Sequence, residues 1–368
     1  MRNEIDRANN REQTGENQAN LPYSAIGVEL LHTDADSKSR DGSDFPYKGL
    51  NPYTEADANI FFGRDKDIQN VVNNLLAWRL TIVYGKSGVG KSSILRAGVS
   101  HTLTEEAKQN LIDFGVPKLA AVVFPPLNGK SSWKGDPFAA LMDEVTNAIA
   151  NSGSKIPPPE PGLSFIDTLK YWTKAVGGEY DDGQLYIVLD QFEEYFLYHM
   201  QDQGKDSFSE GLFQALKCPD LRANFLIALR EDALATLDNF PQPMPGLFDH
   251  RIMIRHLDVD AANDAIKKPI EYYNTQHPEA LIAIEPELVD AILEEIQVGK
   301  VNLGESGIAE IDLTHKLPSQ TQIETPFLQM VMTRLWDEES QQKSHLLRLE
   351  TYQALGQADQ IVKDHLNR

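Results

Sequence analysis

Four short apolar segments, separated by longer helical patterns, constrain the fold of this chain more than any other feature of its sequence. Each is five or six residues long and rich in bulky or β-branched side chains, which is typical of strands buried on both faces. Strands that alternate with helices in this way favour the α/β class, with a parallel sheet and helices on both of its faces. The segments are residues 80–84, 119–124, 185–189 and 224–229.

After about residue 250 the alternation ends: "HRIMIRHL" could hold one last short strand, and the segments beyond it have helical periodicity. Five apolar residues in this part fall on one helical face, which predicts a smaller all-helical domain after the sheet. The first 45 residues are rich in Asn, Asp, Glu, Gln and Ser, which favours disorder. We therefore expect a disordered or linker-like tail at 1–45, an α/β domain at 46–256 and a helical domain at 257–368. The five apolar residues are Leu328, Val331, Met332, Leu335 and Trp336.

Composition excludes several classes of protein. A net charge of −21 disfavours non-specific binding to nucleic acid and to acidic membrane surfaces, so neither partner is expected. The chain has one cysteine, Cys218, and therefore no intrachain disulfide. Its polar first residues lack the apolar core of a signal peptide, and no apolar run approaches 18 residues. These features indicate a cytoplasmic protein.

The string "GKSGVGKS" at 85–92 follows the first apolar segment and matches the phosphate-loop (Walker A) pattern G-x-x-x-x-G-K-[ST]. Its glycines allow backbone N–H groups to approach a phosphate closely, and a helix that starts there adds its dipole. Lys91 would bind the β- and γ-phosphates, Ser92 would ligand Mg²⁺, and Ser93 could reach the α-phosphate. The alternative is a structural glycine turn. The predicted contacts are Gly85, Ser87, Gly88, Val89, Gly90, Lys91, Ser92 and Ser93.

Asp190 directly follows the third apolar segment, where a P-loop protein needs a carboxylate to hold Mg²⁺. Glu193 or Glu194 could orient or activate the attacking water. The alternative for these two residues is the acidic first turn of a helix, which the helix dipole favours. Many P-loop ATPases carry glutamate directly after the aspartate, but this chain has Gln191, which indicates slow hydrolysis.

Arg230 ends the fourth apolar segment, so its side chain is expected to face the same crevice. A cation at this position could sense the γ-phosphate. The alternative is a surface arginine paired with Asp232 or Glu231.

The string "FFGRDKD" at 61–67 precedes the first predicted helix. Gly63 and Arg64 could support a nucleotide base or ribose on backbone groups, and the alternative is a helix start capped by Asp65. The sequence has no guanine-specificity motif, no Cys–His metal spacing and no G-x-S-x-G elbow, so proteases, serine-nucleophile hydrolases and metalloenzymes have no support.

Taken in order, several longer strings resemble the STAND class of signalling ATPases, in particular the novel STAND NTPases of bacteria. The resemblance covers roughly residues 46 to 368. It implies a nucleotide-controlled switch related in fold to AAA+ ATPases, in which an ADP-bound form is inactive and ATP permits homo-oligomerisation and signalling. The strings are "YKGLNPYTEADANIFFGRDKDI", "GKSGVGKSSILRAGV", "LYIVLDQFEEYF", "FLIALREDALATLDNF" and "TPFLQMVMTRLWDEE".

The resemblance also implies roles for individual residues. Arg64 would lie near the base, Arg230 would be the sensor arginine, and Pro326 would contact the nucleotide from a helical lid domain. Family members usually continue into a winged-helix domain and repeat-based sensor, whereas this chain stops at "IVKDHLNR", about where a winged helix would begin. No effector domain is recognisable in residues 1–45, so protein partners that carry a sensor or effector are expected.

The leading hypothesis is therefore an ATP/ADP-binding STAND-type switch with slow Mg²⁺-dependent hydrolysis, in signalling or defence. Lys91, Asp190, Glu193, Glu194 and Arg230 are its candidate catalytic residues. The alternative is a non-hydrolysing, nucleotide-stabilised interaction or assembly module, or a truncated fragment. A small-molecule kinase is disfavoured because the acidic helical region offers no arginine-rich lid.

Overall fold

The computed structural model describes residues 45–127, 132–151, 157, 159–160, 162–178, 182–200, 202, 207–301 and 321–367. The predicted tail at 1–45 lies outside the described residues, apart from Phe45. Within the described part, no helix has both the length and the apolar character needed to cross a bilayer.

A five-stranded sheet forms the centre of the α/β part, and all its neighbouring strands are parallel. The strand order is β2-β3-β4-β1-β5, so β4 is central and β1 lies between β4 and β5. The four predicted apolar segments form the first four strands, which confirms the predicted fold class. The strands are β1 Leu80–Gly85, β2 Leu119–Phe124, β3 Gln184–Leu189, β4 Ala223–Arg230 and β5 Arg251–Met253.

Helices cover both faces of this sheet. Successive strand residues point to opposite faces, so Ile187 packs with one layer of helices and Val188 with the other. The helix α2 contains a seven-residue π-helical stretch between two α-helical parts. The helices are α1 Asp65–Ala77, α2 Lys91–Ser93 with Ile94–Ser100 and His101–Phe114, α3 Pro137–Asn151, α4 Phe165–Gly177, α5 Glu193–His199 and α6 Phe208–Lys217, with 3-10 helices Glu55–Ile60 and Glu231–Asn239.

Beyond the sheet, residues 257–301 and 321–367 form a mainly helical part, called here the helical region. Its helices are α7 Val259–Gln276, α8 Pro286–Glu295, α9 Thr325–Gln341, α10 Leu349–Ala354 and α11 Gln357–Leu366. Two short ladders that the helical periodicity did not predict join them. In these, β6 Leu257–Asp258 pairs antiparallel with β8 Gln322–Ile323, and β7 Ala283–Ile284 pairs parallel with β9 Leu346–Leu347.

The core of the helical region contains the five predicted apolar residues of α9, all of them buried. It also contains Tyr47, which precedes the whole sheet in the sequence. The Tyr47 hydroxyl donates a hydrogen bond to the carbonyl of Ile266 at 2.5 Å, and its ring meets Trp336 edge-on with centroids 6.2 Å apart. The N-terminal segment of the described chain is therefore part of the helical region's core.

Candidate functional site

The loop between β1 and α2 has the backbone that the glycine pattern predicts. Gly88 and Gly90 have φ angles of +78° and +95°, which few L side chains tolerate. Gly85 lies so close to the chain after β5 that an added Cβ would stand 2.4 Å from the carbonyl oxygen of Ile254. At these three positions, therefore, the loop accommodates only glycine without strain.

Lys91 begins α2, and its side chain turns back towards the loop. Its Nζ donates to the carbonyls of Gly85 at 2.8 Å and Lys86 at 3.0 Å. Burial lowers the pKa of Lys91, and the negative charges of Glu193 and Asp190 oppose that shift. The ammonium thus lies inside the concave side of the loop, near both carboxylates.

The serines of the loop differ in their surroundings. Ser87 is exposed, and Ser92 is half-buried at the start of α2. The Ser93 hydroxyl, predicted to approach an α-phosphate, accepts a hydrogen bond from the backbone N–H of Tyr53 at 3.1 Å. Ser93 therefore connects α2 to the segment that precedes the sheet.

Asp190 is buried at the carboxyl end of β3, with 2% of its surface exposed. Its backbone N–H donates to the carbonyl of Phe124 at 2.7 Å, and its own carbonyl accepts from Trp133 Nε1 at 3.0 Å. Its Oδ1 accepts from the N–H of Gln191 at 3.0 Å, while Oδ2 lies 3.6 Å from Nη2 of Arg96. The carboxylate is therefore held in one orientation.

Arg96 was missed by the sequence reasoning. It lies in the π-helical stretch of α2, is only 9% exposed, and also donates to the carbonyl of Pro125. Burial lowers the pKa of Arg96, and the charge of Asp190 opposes this. The detectable signal was a lone cation among apolar residues in "SILRAG", which can indicate a buried ion pair.

The structure separates the two candidate glutamates. Both lie in the first turn of α5, as the alternative reading expected. The carboxylate of Glu193 accepts from the backbone N–H of Arg230 at 3.3 Å, and burial raises the pKa of Glu193 while nearby Lys91 opposes that shift. The backbone N–H of Glu194 donates to the carbonyl of Gln191 at 3.0 Å. Glu193 is thus placed beside Lys91 and the end of β4.

Arg230 ends β4 beside this group, as expected. Its guanidinium pairs with Asp232, with Nε 3.0 Å from Oδ1, so the ion pair that the sequence left open is present. The positive charge of Arg230 also contributes to lowering the pKa of Lys91, though less than burial does. Arg230 therefore lies near the loop, with its side chain paired to an exposed aspartate.

Arg64 lies at the cap position of α1, so Asp65 is the first helical residue and not its cap. The Arg64 side chain is 5% exposed and donates to two backbone carbonyls. These are Val89 in the loop at 2.6 Å and Arg255 after β5 at 2.9 Å. Nη2 also lies 3.4 Å from the hydroxyl of Thr325, at the start of α9. Arg64 thus joins the loop to the helical region.

A cavity of about 380 Å³ adjoins Gly63 and Arg64. Its other walls include His256, Leu257, Asp258 and Ala261. Gly63 has a φ of +82°, and an added Cβ would stand 2.3 Å from the carbonyl oxygen of Ala261, so this wall is tightly packed. The structure thus provides a concave surface at the position where the sequence predicted a base or ribose.

His256, which the sequence reasoning missed, connects the same elements. Burial lowers its pKa to about 4, and the charges of Lys86 and Arg64 add to the effect. The ring is therefore neutral near pH 7, and its Nδ1 accepts from the backbone N–H of Thr325 at 3.4 Å.

Pro326, in the first turn of α9, lies against the loop. A Cβ placed on Gly88 would stand 2.8 Å from Pro326 Cγ. Tyr53, another residue that the sequence reasoning did not single out, donates from its hydroxyl to Gln329 Oε1 of α9 at 3.0 Å. The start of α9 is therefore held directly over the loop.

This arrangement suits a bound polyphosphate. Backbone N–H groups of the loop and the start of α2 favour anions, and Lys91 supplies a cation. The Ser92 hydroxyl and the Asp190 carboxylate are oxygen donors of the kind that Mg²⁺ prefers. Because Gln191 and Arg96 already contact the Asp190 oxygens, Asp190 is suited to hold the metal through water.

The fold has a counterpart among solved structures. The Aeropyrum pernix ORC2 protein, solved in ADPNP–ADP complexes, superposes with a TM-score of 0.53 at 13% identity, covering 90% of this chain and 71% of that one. The Walker-type ATPase PABY2304 of Pyrococcus abyssi gives a TM-score of 0.49 at 14% identity, over 88% of this chain and 75% of its own. The likeness to the ORC2 protein, at 13% identity, shows the fold alone.

No curated protein matches the sequence significantly. The family described as Novel STAND NTPase 1, in contrast, matches residues 46–368, which is most of the chain. The match spans the β1–α2 loop, Asp190, Arg230 and the start of α9. This chain belongs to the novel STAND NTPase family.

Proposed function

We propose that this protein is an ATP/ADP-binding switch, in which the bound nucleotide controls the position of the helical region. The observation that carries the proposal is the contact between Gly88 and Pro326, which puts the start of α9 on the loop that suits phosphates. A γ-phosphate in that loop would change the space available to Pro326. The helical region would then act as a lid whose position depends on the nucleotide.

The residues divide the work as follows. Lys91 would bind the β- and γ-phosphates, and Ser92 and Asp190 would hold Mg²⁺, which would neutralise phosphate charge. Arg230 would exchange its pairing with Asp232 for a γ-phosphate and so report its presence. Base and ribose rest against the backbone of Gly63 and Arg64, beside the cavity described above.

Hydrolysis is proposed to be slow. Gln191 follows Asp190 at the position where many P-loop ATPases carry a glutamate. Glu193 is then the better placed general base, because its carboxylate lies beside Arg230 and Lys91. A glutamate acts as a general base only in its ionised form. Because burial raises the pKa of Glu193, it reduces the ionised fraction of this carboxylate at a given pH.

Gln191 directly after Asp190 and the raised pKa of Glu193 also favour the second candidate, a nucleotide-stabilised assembly module that does not hydrolyse ATP. Phosphate release from purified protein with Mg·ATP separates the two. Release that Glu193→Gln abolishes supports the switch with turnover. Tight binding with no release, together with an ATP-dependent change in mass in solution, supports the module.

We further propose homo-oligomerisation in the ATP state and partner proteins that carry a sensor or effector for signalling or defence. The net charge of −21 supports partners other than nucleic acid or acidic membranes, and a cytoplasmic location suits a chain with one cysteine. Mass in solution, compared between protein with ADP and protein with ATP, tests the oligomerisation directly.

Lys91→Ala tests the phosphate site. Lys108→Ala is its matched control, because Lys108 lies on the same helix, is exposed, and pairs with Glu105 three residues earlier. Mg·ATP should raise the melting temperature of the parent and of Lys108→Ala by linkage, and should raise that of Lys91→Ala far less. Equal Mg·ATP affinity in parent and Lys91→Ala would remove the basis of the proposal.

A further inference from the structure

Residues 45–61, called here the strap, run from the helical region to the helix that follows the phosphate-suited loop. One end is fixed in the helical region by Tyr47, which is 1% exposed and bonded to the carbonyl of Ile266. Further along, Gly49 passes Thr333 of α9, where an added Cβ would stand 3.6 Å from the threonine hydroxyl. The strap therefore begins on the inner side of the helical region.

Its other end is fixed to α2. The backbone N–H of Tyr53 donates to the Ser93 hydroxyl at 3.1 Å, two residues after Lys91. Glu55 accepts a hydrogen bond from the hydroxyl of Ser100, also on α2. The strap thus contacts the same helix that carries the predicted phosphate ligands.

A buried carboxylate two residues after Glu55 braces the strap. Asp57, 5% exposed, accepts from the backbone N–H of Thr54 at 2.7 Å and pairs with Lys48 at 2.5 Å. These contacts join residues on both sides of Tyr53. They hold the segment around Tyr53 in a fixed conformation, so its side chain is presented in one direction.

Tyr53 is the point where the two parts of the molecule meet. It is 6% exposed, its N–H bonds to α2, and its hydroxyl donates to Gln329 Oε1 at 3.0 Å. Gln329 lies three residues after Pro326 on the same helix, about one turn away. A movement that lifts Pro326 from the loop therefore separates the Tyr53 hydroxyl from Gln329.

We propose that the hydrogen bond between Tyr53 and Gln329 sets the rate at which nucleotide leaves the site. The proposal rests on the proposed function, since it takes the loop below Pro326 to hold the phosphates. A nucleotide in that loop is covered by the start of α9 and departs when α9 lifts. The strap holds α9 down, so Tyr53 and Gln329 are positioning residues for nucleotide retention.

The test measures release of a fluorescent ADP analogue after addition of excess unlabelled ADP, for Tyr53→Phe, Gln329→Leu and the double variant. A neutral hydrogen bond contributes about 1 kcal/mol, so each single change should speed release about 5-fold. Because both changes remove the same bond, the double variant should release no faster than either single one. Additive effects, or unchanged release in Tyr53→Phe, would overturn the proposal.

Tyr352→Phe is the matched control. Its hydroxyl donates to Glu295 Oε2 at 2.6 Å, so it is also a buried tyrosine with a side-chain acceptor, but both partners lie within the helical region. Its release rate should equal that of the parent. A 5-fold increase in this control would show that any loosening of the helical region speeds release, and would contradict a specific role for Tyr53.

Hydrogen exchange of the backbone amides of residues 325 and 327–332 gives a second readout that needs no nucleotide. Tyr53→Phe should speed exchange at the start of α9 in nucleotide-free protein, while Tyr352→Phe should leave it unchanged. If the parent failed to bind the ADP analogue, the proposed function would fall, and this measurement would still test the strap. Unchanged exchange in Tyr53→Phe would show that the bond does not hold α9.

Discussion

Pro326 occupies the space that a side chain on Gly88 would need, since an added Cβ at Gly88 would stand 2.8 Å from Pro326 Cγ. The two residues are far apart in the sequence and belong to different parts of the molecule. Their contact makes the conformation of the loop and the position of α9 interdependent. Substitution at Gly88 should therefore affect both.

Gly88→Ala should destabilise the protein more than Gly115→Ala. Both glycines have positive φ, +78° and +76°, so both substitutions carry the backbone strain of about 1–2 kcal/mol. Gly115 has no atom within 4 Å of an added Cβ, so only Gly88→Ala adds a clash with Pro326. Free energies of unfolding from urea titration measure the difference. Equal losses would mean that Pro326 yields without cost.

Arg64→Lys should lower the free energy of unfolding by about 3 kcal/mol, because one ammonium cannot replace the planar guanidinium. The carbonyls of Val89 and Arg255 would lose their donor in a buried setting. Arg334→Lys is the control, since Arg334 makes a partly exposed pair with Glu338 and its replacement should cost under about 0.5 kcal/mol. A similar small cost for Arg64→Lys would contradict the bridging role.

The pair between Arg96 and Asp190 should show strong coupling. Arg96→Met leaves Asp190 as a buried charge without the guanidinium that pairs with it, and breaking a buried pair typically costs about 3–5 kcal/mol. Asp190→Asn in the same chain removes that charge, so the double variant should be more stable than Arg96→Met alone. Unfolding free energies of the four proteins give the coupling. Additive losses would show that the two side chains act independently.

Glu193→Gln should gain stability relative to the parent as pH rises. Burial raises the pKa of Glu193 above its ordinary 4.5, so the folded chain keeps a proton that the unfolded chain releases. Stability of the parent therefore falls as pH rises from 4.5 through the folded pKa, and the glutamine variant escapes this loss. Melting temperatures of both proteins between pH 4 and 8 should diverge and then level off. A constant difference would contradict the raised pKa.

Glu339→Gln should show the opposite sign. Burial alone would raise the pKa of Glu339, but hydrogen bonds from Arg348, Thr351 and Ser344 lower it below 4.5. Its ionised form then stabilises the fold above pH 4.5, and this stability is lost as pH falls through the folded pKa. The variant should be destabilised most at neutral pH and least in acid. The same melting series checks this.

The sequence predicted local structure well because burial leaves a periodic record along the chain. The apolar run at 119–124 coincides with β2, and the apolar face of α9 is buried as expected. Periodicity does not show which distant residue a given side chain contacts in the fold. Nothing near Arg64 indicates Thr325, 261 positions away, and nothing in "SILRAG" names Asp190.

The same distinction between local features and long-range contacts applies to the candidate site. The positive φ of Gly88 and Gly90 follows from the glycine pattern, and Pro326 was placed through the family resemblance before the structure showed its contact with Gly88. Tyr53 and His256 were missed because their roles depend on the packing of α9 against the loop, which is a feature of the tertiary structure. Contacts between the strap and α9, which are far apart in the sequence, leave no short-range pattern.

Tyr47 has a consequence for how this protein is made. It lies 219 positions before its hydrogen-bond acceptor, Ile266, yet it fills part of the core of the helical region. During synthesis Tyr47 is made long before the helices of the helical region. The core that it fills is therefore incomplete until the last of these helices has been made. A helical region that started at residue 257 would lack the buried side chain of Tyr47, and its core would contain a cavity at that position. The segment around Tyr47 and the helical region are therefore one folding unit, and the helical region should be less stable when it is separated from that segment.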